Sequence, residues 1–83
     1  MAERAFFEKQ IEFRVNEIQE YQFNIDNFKR AILKIDTEYA SNQDMLEFKK
    51  HLQTLLADNQ REQLKSIIMR DVLIDQIAEL EES

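Results

Sequence analysis

The side chains able to do chemistry are few, and their spacing suits it poorly. The one histidine, His51, follows Glu47 by four positions, so on a helix the two share a face. Metal sites gather three or four convergent ligands, and nothing else of that kind joins this pair locally. Di-iron bundles place His three residues after Glu on two separate helices; here the spacing is four and occurs once, which reads as a surface histidine. Ser41, Ser66 and Ser83 sit in no nucleophile motif, and a triad would have to join His51 to a helical serine. Glu8 with Glu12, and Asp71 with Asp75, are carboxylates at helical spacing. Acid–base catalysis needs such groups buried in a cleft, and on helices these form a solvated face. No catalytic, cofactor or metal site is expected, and the chain reads as a non-enzyme.

Composition narrows the rest. The 83 residues include no glycine, proline, cysteine or tryptophan. Phosphate-cradling loops, nucleophile elbows and dinucleotide folds all require glycine. Tight β-hairpin turns lean on it too, so an all-α fold is expected. Without cysteine there are no disulfides and no thiolate ligands. No apolar run reaches the ~18 residues of a membrane span, and the opening MAERAFFEKQ has no signal-peptide core. A cytoplasmic location is expected. The formal net charge is −6, with 6 Lys/Arg against 8 Asp/Glu in residues 1–40 and 5 against 9 in residues 41–83. Neither half is basic, which argues against direct nucleic-acid binding.

The elements that position these residues are helices. Phe7, Ile11, Arg14, Ile18, Tyr21, Ile25, Phe28, Ile32, Ile35 and Tyr39 alternate spacings of four and three without a slip, a heptad seam over a helix of about 4–39. Tyr39 to Asp44 interrupts the pattern. Ser41 as N-cap, with Asp44 three residues on, predicts a turn at about 39–42 and a second helix over about 42–81. Its stripe runs Met45, Phe48, Leu52, Leu55, Leu56. After the polar stretch at residues 57–63, extension at ~100° per residue lands on Ile67, Ile74 and Ile77. The alternative is a three-helix arrangement with a break near 58–62, Asn59 acting as N-cap.

Two matched amphipathic helices and a short turn predict one helical domain over 1–83, a coiled-coil-like antiparallel hairpin. Facing positions should sum to roughly 83–85. Tyr21, Gln22 and Asn24 then lie across from Asn59, Gln60 and Gln63, a polar waist. Arg14 faces the neighbourhood of Met69 to Asp71. Either it lays its stem on the seam with its head in water, or it pairs with Asp71 and sets register.

The apolar arc of the first helix spans about 200°, wider than one partner helix covers. Phe6, Phe13 and Ala31 flank the seam on one side, Val15 and Leu33 on the other, and Phe23 projects opposite it. In the second helix Leu64, Ile68 and Val72 form another apolar side. Phe6, Phe13, Phe23, Leu64, Ile68 and Val72 are therefore the expected partner or oligomer contacts, and two hairpins are expected to dimerise into a four-helix bundle. The function this implies is a protein–protein interaction module: an adaptor, assembly factor or small chaperone. The alternative is a small acidic phage-type inhibitor, such as an anti-CRISPR protein, an analogy of composition only. Rows such as Glu8 and Glu12, or Asp71, Asp75 and Glu79, would then occupy a basic nucleic-acid channel. An anionic chain with few lysines on its polar face fits a membrane surface poorly.

Overall fold

A computed structural model describes residues 2–82. Two helices, α1 (Ala2–Glu38) and α2 (Gln43–Glu82), lie antiparallel in a rod of 62 × 14 × 14 Å. The unbroken α2 passes through residues 57–63, so the three-helix alternative is not what forms.

The turn works without glycine, and no described residue has a positive φ. Near the end of α1 the Thr37 hydroxyl donates to the carbonyls of Leu33 and Lys34, local bonding that competes with helix continuation. The Tyr39 carbonyl then accepts the Asn42 N–H at 3.0 Å, closing a four-residue turn. The expected cap shifts by one residue. Asn42, not Ser41, caps α2, its Oδ1 accepting the Met45 N–H at 3.1 Å.

The α1 seam is the expected one: Phe7, Ile11, Arg14, Ile18, Tyr21, Ile25, Phe28, Ile32 and Ile35 are buried or half-buried, and Tyr39 turns outward. The α2 seam departs from expectation. The inward positions are Met45, Lys49, Leu52, Leu56, Asn59, Gln63, Ser66, Arg70, Leu73 and Ile77, again spaced four and three, while Phe48 and Ile74 are exposed and Ile67 is only a flank. A straight helix drifts ~20° per heptad from a 3.5-residue seam. Extrapolating at 100° per residue across three heptads therefore rotates the stripe from Ser66 and Leu73 toward Ile67 and Ile74. Supercoiling against α1 removes that drift and draws a polar block onto the seam.

The consequence is a rod of two unlike halves. The half near the turn has an ordinary core, and the buried hydrophobic residues Ile25, Ile35 and Leu52 all lie there. In the half away from the turn, Arg14, Asn59, Gln63, Ser66 and Arg70 sit on the seam, and large apolar side chains lie outside it.

Candidate interaction surface

Five cross-helix contacts fix the register. Lys49 Nζ meets Asp36 Oδ1 at 2.5 Å near the turn, and Arg4 pairs with Glu81 at the other end. Between them Gln63 Nε2 donates to Gln22 Oε1 at 2.9 Å and to the Ile18 carbonyl at 3.2 Å, and Asn24 Nδ2 donates to Asn59 Oδ1 at 3.3 Å. The polar waist is thus present where the hairpin register places it. The two ion pairs were not singled out in the sequence, although both pairs of numbers obey the expected sum. Arg4 also donates to Glu8; that hydrogen bond, then the Glu81 charge, holds its guanidinium above the ordinary value.

The Arg14–Asp71 register pair does not form. Arg14 Nη1 instead donates to Glu17 Oε1 at 2.9 Å, and Asp71 accepts from Arg70 Nε at 3.1 Å. The position across the seam from Arg14 is Arg70, another cation, and Asp71 lies one residue beyond it on the exposed side. Each arginine takes the carboxylate on its own helix, which costs less ordering than a bridge between helices. The Arg14 guanidinium also lies 5.5 Å from the Phe13 ring centroid, within cation–π range.

The proposed contact residues fall into three places. Phe6 and Phe13 share one flank of α1. Phe6 meets Phe7 edge-on at 6.0 Å between ring centroids, and the two line a shallow groove with Gln76, Glu79 and Leu80 of α2. Phe6 and Phe13 are 59% and 54% exposed. Leu64, Ile68 and Val72 succeed one another at four-residue intervals along the back of α2 and are all exposed. Phe23 stands apart on the back of α1, 70% exposed, beside Asn16, Gln19 and Glu20. Met69 and Ile74, also exposed, were not anticipated as surface residues; the heptad frame of α2 was the signal that locates them.

His51 and Glu47 are exposed on α2. Among the described residues no three His, Cys, Asp or Glu side chains converge as metal ligands, and no helix is long and apolar enough to cross a membrane. The surface therefore offers apolar contact area flanked by charges. No protein-family model, no curated protein and no solved structure matches the chain.

Proposed function

We propose that the chain is a non-enzymatic protein–protein interaction module, an adaptor, assembly factor or small chaperone. It pairs with a second copy to give a four-helix assembly and binds a further protein partner. One observation carries this reading: in the half away from the turn, Arg14, Asn59, Gln63, Ser66 and Arg70 take seam positions while Phe6, Phe13, Leu64, Ile68, Met69 and Val72 face outward. Burying one such side chain is worth ~1.5–3 kcal/mol, so a few of them decide association. A chain this short and without disulfides gains most from an external cover. A cytoplasmic setting belongs to the same proposal, since zero cysteines suit a reducing compartment. The acidic-inhibitor reading has less support, because its carboxylates are partly neutralised: Glu8 binds Arg4 and Asp71 binds Arg70.

The test compares the parent chain with the Phe6→Ser/Phe13→Ser variant. Light scattering should show the parent above monomer mass at about 100 μM, a concentration that reveals contacts worth more than about 5–6 kcal/mol. A tagged parent should capture a protein that the variant loses. A parent that is monomeric there, and retains nothing that the variant loses, overturns the proposal.

A further inference from the structure

The shallow groove at the open end of the rod continues along it. At that end its walls are Glu3 and Phe6 of α1 and Gln76 and Glu79 of α2, with Phe7 and Leu80 between them. Both helices keep a seven-residue seam, so each wall position recurs on the same side one heptad further on. One heptad inward the walls are Gln10, Phe13, Met69 and Val72. A second heptad inward they are Glu17, Glu20, Glu62 and Lys65. The groove is thus apolar in its middle and acidic towards both ends, about 25 Å from Glu3 to Glu20 at ~1.5 Å per residue. Phe6, Phe13, Met69 and Val72 are all exposed along it.

The charges on these walls are unbalanced. Lys65 is the one cation, and it is bonded to Glu62 at 2.9 Å; Glu17 is bonded to Arg14 of the seam at 2.9 Å. Glu3, Glu20 and Glu79 are exposed and make no ion pair among the described residues. We infer that the occupant of this groove is an amphipathic helix of another protein, with an apolar stripe for the middle and Lys or Arg along its flanks. The inference rests on the interaction-module reading and adds the chemistry of the partner. A helix laid between α1 and α2 covers Phe6, Phe13, Met69 and Val72 together, the helix-in-groove mode of recognition. Its cations meet the three free carboxylates, and such rim complementarity sets partner choice and encounter rate more than affinity. A second copy offering the same face brings three more unpaired carboxylates and no free cation, so charge selects against it at this site. Ile68, on the back of α2, lies outside the groove.

The experiment titrates the parent with two synthetic three-heptad helical peptides, followed by fluorescence anisotropy. Both carry leucine at the core positions; one has lysine at the flanking positions and the other glutamate. At low salt the lysine peptide should bind about tenfold more tightly or better, and added salt should narrow the gap. Glu3→Lys/Glu20→Lys/Glu79→Lys should reverse the preference. These three side chains hold no ion pair, so the variant should keep parent-like helicity by circular dichroism. Glu12→Lys/Glu47→Lys/Asp75→Lys makes the same change in net charge at exposed sites away from the groove and should keep most of the parent's preference. Phe6→Ser/Phe13→Ser should weaken the lysine peptide about tenfold or more. Equal binding of the two peptides, parent-like binding by the Phe6/Phe13 variant, or equal losses in the two lysine variants overturns the inference. If the lysine peptide fails to bind while the parent self-associates through Phe6 and Phe13, the groove belongs to a second copy; the interaction-module reading then stands and only this occupant falls.

Discussion

Ile25 and Ile68 are the same residue in the same kind of helix, 3% and 53% exposed, and replacing each by alanine separates the seam from the outer ridge. Truncating a core isoleucine costs ~2–5 kcal/mol, depending on how completely neighbours enclose it. A seam between only two helices encloses less than a globular core, so Ile25→Ala should cost about 2–3 kcal/mol. Alanine's better helix propensity returns a few tenths of a kcal/mol at both positions. At Ile68 little packing is lost in the separate hairpin, and the net change should stay within about 0.5 kcal/mol. For a chain of this size ~1 kcal/mol moves the melting midpoint by about 4–8 °C. In dilute solution Ile25→Ala should therefore melt about 10–20 °C below the parent and Ile68→Ala within about 4 °C of it. Raising the concentration should lift the parent midpoint by mass action and leave Ile68→Ala where it was. The assay is thermal melting by far-ultraviolet circular dichroism at two concentrations far apart. Equal losses for the two variants at dilution would mean that Ile68 is enclosed within one hairpin, and the reasoning from an uncovered ridge fails.

Asn42→Ala removes the oxygen that accepts the Met45 N–H. It should cost about 1 kcal/mol, the usual value of an N-cap, whereas Ser41→Ala should cost far less; equal losses in urea melts would restore Ser41 as the cap. Gln63→Leu should raise stability by about 1 kcal/mol. The Ile18 carbonyl keeps its helical partner and the exposed Gln22 turns to water, so no buried polar group is orphaned. A lower midpoint for Gln63→Leu would show that the waist holds the register more firmly than an apolar seam does.

The hairpin was legible because two of its determinants are local and periodic. The seam of α1 never slips over nine positions from Phe7 to Ile35, and the Tyr39 to Asn42 interruption is short enough to force antiparallel neighbours. The pairing sum of roughly 83–85 sets Gln63 across from Gln22 and Asn59 across from Asn24, where the waist forms. What was not legible depended on coupling between the helices. The inward face of α2 is set by supercoiling against α1, and its own apolar residues vote for a different stripe. For that reason Phe48 and Ile74 lie outside the seam and Ser66 and Arg70 lie on it. Arg14 was matched to Asp71 by charge, but the seam position opposite it holds Arg70.

Those same departures bear on the proposed interaction surface. If the outward Leu64, Ile68 and Val72 were an accident of rotation, turning α2 about its axis would bury them without loss. It does not: a half turn carries Leu73 and Ile77 into water and brings Asp71 and Asp75 against α1, where Arg14 and Ile18 now face Arg70 and Ser66. Nor can α1 turn to meet the ridge, since its back offers a single aromatic, Phe23, among polar neighbours. Each helix in this half has apolar residues on more than one side, and one antiparallel partner covers only one of them. The polar seam adds to the effect, because Asn59, Gln63 and Arg70 occupy the places where the ridge residues would be sheltered. A sequence selected only for a stable hairpin gains by exchanging these sets, with apolar side chains inside and polar outside. Keeping Asn59, Gln63, Ser66 and Arg70 inward and Leu64, Ile68 and Val72 outward is the arrangement that the proposed interaction surface requires.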